Sequence, residues 1–452
     1  MHIDFLFDVF NECKNSKAII WNNEVFDYKS LTNNINSWRK VINSKQINEG
    51  TVVALEGDFS PSSIALLLAL IDKACIVVPL TNTSNNNEQR LFEIAQVEFV
   101  FRIDESDHVT SESYPNILVN NYYKAIRERK HPGLVLFTSG TSGKPKAAVH
   151  DILLLLEKFK TRRMALRTLN FLLFDHWGGL NTMFHILSNG GVVIATEDRN
   201  PENVCKLVEK HRIELLPASP TFLNLMLLSG AYANYDMRSL KIISYGTEPM
   251  PESTLKRLKI IFPEAKLLQT YGLIELGVMR SKSEKDDSLW VKVGGEGYKT
   301  RVVDGLLEIK AKSAMLGYLN APSPFTEDGW FRTGDAVELK GEYIKILGRK
   351  SELINVGGDK VYPQEVEGVI QEMENVVDVT VYGEKNPILG NIVCAKVVLL
   401  KDENRKEFII ELKQFCAKRM KKFMVPVKVQ FCDDKLYSNR FKKNRTVINS
   451  ND

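Results

Sequence analysis

The sequence predicts an α/β fold in which a large N-terminal domain of doubly wound sheets is followed by a small α+β C-terminal domain. Three observations predict it. Short β-branched runs alternate with longer helical patterns over most of the chain, the pattern of a largely parallel sheet covered by helices. After about residue 300 it gives way to short strands and turns, and beyond the Gly348–Lys350 turn to a βαβ-like tail. In chain order, Thr51–Leu55 reads as a strand, Ser62–Lys73 as a helix and Cys75–Pro79 as the next strand. The order repeats at Phe171–Phe174, Leu180–Leu187 and Gly191–Ala195, and again at Lys241–Ser244, Glu252–Ile261 and Lys266–Gln269. Gly305–Lys310 and Tyr343–Leu347 read as strands of the turn-rich stretch, and helices are expected near Pro363–Met373 and Arg405–Lys418. These elements divide the chain into domains 1–349 and 350–452.

Composition narrows the function classes. A chain of 452 residues, 44% hydrophobic and 26% charged, can bury a large core and divide into more than one domain. Its 60 basic and 56 acidic residues leave a formal charge of +4, and no like-charge run marks a nucleic-acid arm. The clusters Lys418–Lys422 and Lys442–Lys443, taken alone, read as solvated basic faces. Cysteines at 13, 75, 205, 394, 416 and 432 form no CxxC pair and no metal-ligand spacing, which argues for a reduced, cytoplasmic setting. Asp4, Asp8 and Glu12 interrupt any signal-peptide pattern, and Ile64–Ile71 is too short to span a bilayer and reads as a buried helix. No GxGxxG follows a strand near the N-terminus, which disfavours a dinucleotide-dependent oxidoreductase.

The sharpest local signal is Phe137–His150, FTSGTSGKPKAAVH, after the apolar strand Leu134–Phe137. Thr138, Ser139, Gly140, Thr141, Ser142, Gly143, Lys144 and Lys146 give a loop dense in backbone N–H groups, hydroxyls and positive charge, suited to a polyphosphate. It is not a Walker A loop, because Pro145 follows Lys144 where that motif has Ser or Thr.

With this loop the chain resembles the adenylate-forming enzymes, the family of acyl-CoA synthetases, aryl-CoA ligases, firefly luciferase and nonribosomal-peptide adenylation domains. The likeness runs from Tyr28 to Arg445, with early matches at Tyr28–Leu31, Gly50–Leu55 and Val77–Leu80; Cys75 stands where the family usually has glycine. The resemblance implies a small barrel-like subdomain in the N-terminal domain and a mobile C-terminal domain. Ser244–Pro249, SYGTEP, would lie against the adenine through Gly246, Thr247 and Glu248. Tyr271–Glu275, YGLIE, would offer the Tyr271 ring to the base beside Gly272, and the Glu275 carboxylate to Mg²⁺. Ile274 replaces a threonine whose hydroxyl contacts the α-phosphate in the family. Asp335 of FRTGD would accept from the ribose hydroxyls, Arg349 would approach the same sugar, and Lys350–Ser351 would be the hinge.

Lys442, in FKKNR, takes the place of the family's catalytic lysine, with Phe441 in place of its glycine. The implied chemistry is activation of a carboxylic acid by ATP as an acyl-adenylate, then transfer to the thiol of CoA or of an acyl carrier protein's phosphopantetheine. Gly357 and Gly358 would border the thiol arm. For the acid, His176 and Gly179 of FDHWGG fit the HxxG spacing of acyl-CoA synthetases, whereas Asp175 in the alternative alignment would bind an amino-acid ammonium. Pro217–Leu228 would supply an apolar wall with Ser219 and Thr221 near its opening, and His150 and His185 read as core residues. A noncatalytic adenylate-binding protein is the alternative from another class, supported by the changes at Cys75, Ile274, Ser351 and Phe441.

Overall fold

A computed structural model describes residues 2–81, 88–114, 120–139 and 144–432. Four sheets carry most of the order. The first has seven strands in the spatial order Lys266–Gln269, Ile242–Tyr245, Leu215–Ala218, Arg167–Leu169, Val192–Ala195, Lys17–Trp21 and Glu24–Asp27, all parallel except the last. The second runs Gly317–Tyr318, Pro145–Asp151, Gly133–Ser139, Ile76–Leu80, Val52–Glu56, Phe99–Ile103 and Val109–Ser113. Its middle strands are parallel, and antiparallel neighbours close both sides.

The helix Pro61–Asp72 shows why the sequence folds this way locally. Ser60 caps it by accepting from Ser63 N, Ser63 reciprocates at Ser60 N, and Pro61 fills the first turn, where no N–H is needed. Residues 63–71 are buried throughout, so this helix lies between elements on every side, as its apolar run Ile64–Ile71 predicts.

One expected strand is displaced. Phe171–Phe174 is apolar but not a strand; the strand lies upstream at Arg167–Leu169, and Arg199 holds the Phe171 carbonyl through its Nε at 2.7 Å. The other strands and helices stand within a few residues of expectation, and Glu252–Ile261 and Lys266–Gln269 coincide with it.

The third sheet has six antiparallel strands: Arg280–Ser283, Val291–Gly294, Tyr343–Arg349, Phe331–Lys340, Leu306–Ala311 and Tyr298–Val303. After Arg349 a 3₁₀ turn, Lys350–Glu352, leads to the last sheet. There Gly390–Leu399 pairs with Val376–Asn386, with Ile354–Val356 and, in parallel, with Lys428–Phe431, while Asp359–Val361 completes a hairpin with Ile354–Val356. Helices Pro363–Ile370 and Arg405–Ala417 cover it through Val366, Ile370, Phe408 and Leu412, making a core of its own. Cys75, Cys205, Cys394 and Cys416 are buried, Cys13 and Cys432 are partly exposed, and all six are free. Among the described residues no helix is long and apolar enough to cross a membrane.

Candidate functional site

Strand ends and the third sheet bring the site together. Ile242–Tyr245 and Lys266–Gln269 run parallel, and Thr270 ties their ends by donating N–H and hydroxyl to the Tyr245 carbonyl at 2.7 and 3.0 Å. A Cβ on Gly246 would meet the Thr270 hydroxyl oxygen at 2.4 Å, so this close approach requires glycine. Thr247 follows with φ +71°. The Glu248 carboxylate accepts from the Thr221 hydroxyl at 2.6 Å, and Ser219 caps the helix Pro220–Ser229 at Phe222 N.

Past Thr270, Tyr271 is buried, and its hydroxyl donates to Asp335 Oδ2. Asp335 and Arg349 are register partners on neighbouring antiparallel strands, and Arg349 Nε lies 2.7 Å from Asp335 Oδ1. Thr333 completes the group: its hydroxyl accepts from Asp335 N at 3.0 Å and its carbonyl accepts from Arg349 Nη1 at 3.3 Å. Burial raises the Asp335 carboxyl above its ordinary range, with Arg349 opposing. Burial and then the adjacent Asp335 charge push the Tyr271 phenol well above its ordinary range, so it remains a donor.

Glu275 lies on the loop between Gly272–Leu273 and Gly277–Val278, held by its carbonyl accepting from Met315 N at 2.8 Å. Its carboxylate accepts from the Tyr318 hydroxyl at 2.5 Å, and the Lys146 ammonium lies 5.5 Å from the Tyr318 ring centroid. Gly317–Tyr318 pairs with Pro145–Asp151, so the strand that carries Lys146 is brought to Glu275 through Tyr318. Among the described residues no group of three or more His, Cys, Asp or Glu could hold a metal. A lone carboxylate fits Mg²⁺ bound mainly by water and substrate phosphates. Ile274 packs against two hydrophobic cores at once, which accounts for an apolar residue there.

The structure thus gathers Lys146, Tyr271, Glu275, Asp335 and Arg349. Gly272 pairs with Val278, Thr138 pairs with Lys146 in the strand before the loop, and Lys144 is exposed. Ser139 ends that strand, whereas Gly140, Thr141, Ser142, Gly143 and Lys442 lie outside the described residues. Gly357 and Gly358, at φ +61° and +99°, form the hairpin turn of the last sheet, with hydrogen bonds to the Leu389 carbonyl and Asn355 side chain.

His176 caps the helix Trp177–Leu187, its Nδ1 accepting from Gly178 N at 3.0 Å. Asp175 is buried and accepts from the Thr81 hydroxyl at 3.3 Å. A Cβ on Gly179 would lie 2.3 Å from the Leu173 carbonyl oxygen, which gives this glycine a packing role. Burial pushes both His150 and His185 down to about 4; His150 is fully buried, as expected, whereas His185 is only half-buried on the helix Trp177–Leu187. Sequence reasoning missed Tyr318 and Thr333; Tyr318 meets Glu275 only through the sheet pairing, whereas Thr333 lies in FRTGD, where its spacing of two from Asp335 could have signalled its role.

The profile described as "AMP-binding enzyme" matches residues 7–308, and "AMP-binding enzyme C-terminal domain" matches 365–443. The chain is similar to the indoleacetate–CoA ligase of Aromatoleum aromaticum, at 28% identity over 67% of this chain. On that alignment the chain spans 64% of the relative's own length. It is also similar to the putative acyl–CoA ligase YdaB of Bacillus subtilis, at 24% identity over 96% of this chain and 95% of the relative. Its fold is that of the anthranilate CoA ligase AuaEII solved with anthranoyl-AMP, with a TM-score of 0.83, 17% identity and coverage of 98% and 95% of the two chains.

Proposed function

The chain belongs to the AMP-binding enzyme family, and from that premise we propose that it activates a carboxylic acid with ATP and passes the acyl group to the thiol of CoA. The observation that carries the reading is the Tyr271–Asp335–Arg349 group beside Glu275 and Lys146. In the first half-reaction a carboxylate oxygen attacks the α-phosphorus of ATP and pyrophosphate leaves; in the second the thiol attacks the acyl carbon and AMP leaves. A carboxylate is a poor nucleophile toward an anionic phosphate, so catalysis rests on alignment and on neutralising charge.

Each residue has a role suited to its chemistry. Asp335 offers an acceptor to a ribose diol, and Arg349 steadies that carboxylate. Tyr271 and the Gly246–Glu248 loop would flank the base. Lys146 and the loop Thr138–Lys144 would hold the phosphates, and Glu275 would hold Mg²⁺, which when bound screens phosphate charge. His176 and Gly179 would border the acid, and Gly357–Gly358 would border the thiol arm. Lys442 is proposed to neutralise charge at the α-phosphate. Lys442→Ala should lower adenylate formation by about 100- to 1,000-fold and the thiol step by less, read as pyrophosphate release and as transfer from preformed acyl-adenylate.

The reading is tested by ATP-dependent pyrophosphate release with Mg²⁺ across fatty, aryl, short-chain and amino acids, without and then with CoA. Release with one acid class, accelerated by CoA, is the expected result. ATP binding with no release for any acid would overturn it and favour an adenylate-binding protein.

A further inference from the structure

Beyond the strand Pro145–Asp151, the helix Ile152–Leu156 and the turn Glu157–Phe159 place Lys158 between two parts of the proposed site. Its ammonium donates to the Asn181 side-chain oxygen and, at 2.8 Å, to the Val278 carbonyl. Asn181 lies on the helix capped by His176, and Val278 closes the hairpin that holds Glu275. Both partners are neutral. Among the described residues no carboxylate meets Lys158, Arg163 or Arg280. Instead the charges of Arg163 and Arg280 bear on Lys158, and His185 feels both Arg163 and Lys158.

A second observation points the same way. The Trp177 indole nitrogen is buried without an acceptor, in a residue only 1% exposed. A Cβ on Gly277, the residue before Val278, would lie 3.4 Å from that nitrogen. Lys158 and the exposed Arg163 and Arg280 therefore stand near one another with no carboxylate of the chain's own, beside a buried indole N–H whose lack of an acceptor costs free energy until one arrives.

We propose that Lys158, backed by Arg163 and Arg280, receives a second anionic group of the acid substrate, so that the favoured substrate is a dicarboxylic acid. The proposal rests on the acid-activation reading and names its substrate class. It places the activated carboxyl toward Glu275 and the distal carboxylate at Lys158. Rejection of a plain fatty acid follows, because an apolar tail leaves the Trp177 indole without an acceptor and the cations without a counter-charge, a penalty polar sites use to discriminate.

The test is ATP–pyrophosphate exchange by the full chain without CoA, using matched pairs: succinate and butyrate, adipate and hexanoate, phthalate and benzoate. For one pair the diacid should have the higher kcat/KM by about tenfold or more. Lys158→Met should lower that diacid-to-monoacid ratio at least about tenfold, mainly through KM, and Lys158→Arg should restore part of it. Arg163→Gln and Arg280→Gln, on exposed side chains, serve if Lys158→Met fails to fold, and should lower the ratio by a smaller factor. Exchange that favours monoacids, or variants that slow both members of a pair equally, would overturn this inference and leave acid activation standing. In a parallel thioester-forming assay with CoA, variants that alter only the KM for CoA would also overturn it and assign the cations to the acceptor's phosphates. No exchange with any acid would overturn acid activation itself.

Discussion

Asp335 is shared between a phenol and a guanidinium, and burial raises its carboxyl while the guanidinium opposes that rise. Asp335→Asn keeps the side-chain shape and removes the charge. It should weaken ATP binding by about 1.5–3 kcal/mol, roughly 10- to 150-fold in Kd, measured by calorimetric titration of ATP. Lys158 makes a different demand. Burial, reinforced by Arg163 and Arg280, pushes its ammonium down to about 7 from the ordinary 10.5. An unfolded chain keeps that proton up to the ordinary value, so between these limits the unfolded state binds more protons and stability rises with pH. Urea midpoints at about pH 7 and about pH 9.5 should therefore rise more in the wild type than in Lys158→Met, in which the lysine's contribution is gone. Lys158 left no trace in the sequence patterns because its partners, Asn181 and Val278, are 23 and 120 residues away. The only local sign is the lysine that follows Glu157 where the apolar run Ile152–Leu156 gives way before Phe159.

At the scale of elements, the helix Pro61–Asp72 depends on its first turn, where Ser60 both caps Ser63 N and donates to Asp107. Ser60→Ala removes both bonds and should cost about 1–2 kcal/mol, seen as a lower urea midpoint with an unchanged slope. Elements bounded by breakers were legible: Pro251 precedes Glu252–Ile261 and Pro263 follows it closely. The run Phe171–Phe174 was not, because its apolar character comes from loop burial beside Phe222 and Phe59 and from the Arg199 bond to the Phe171 carbonyl. Its true strand, Arg167–Leu169, carries a charged residue at its start and gives no alternating pattern in only three residues. Tyr271, Glu275, Asp335 and Arg349 could be singled out because they lie in short motifs. Tyr318 reaches Glu275 through a pairing between strands that no motif records, whereas Thr333 stands in FRTGD itself, two residues before the Asp335 whose N–H donates to it.

At the scale of the whole molecule, the last sheet has its own core, reached from the third sheet through Lys350–Glu352. Alternating composition before residue 300 and the changed tail after Gly348 made this plan readable, whereas the register joining Asp335 to Arg349 emerges only from the folded sheet. The uneven burial of the six cysteines has a practical consequence. Burial pushes the Cys75 and Cys205 thiols up to about 12 and those of Cys394 and Cys416 up to about 11. Maleimide at neutral pH should modify Cys13 and Cys432 first, with the other four following only on denaturation, as intact-mass spectra would record. Cys13 follows the first helix and Cys432 follows the last strand. The unaltered chain thus carries an attachment point for a fluorophore near each end, and energy transfer between two such dyes would report the separation of Cys13 and Cys432 without an introduced cysteine.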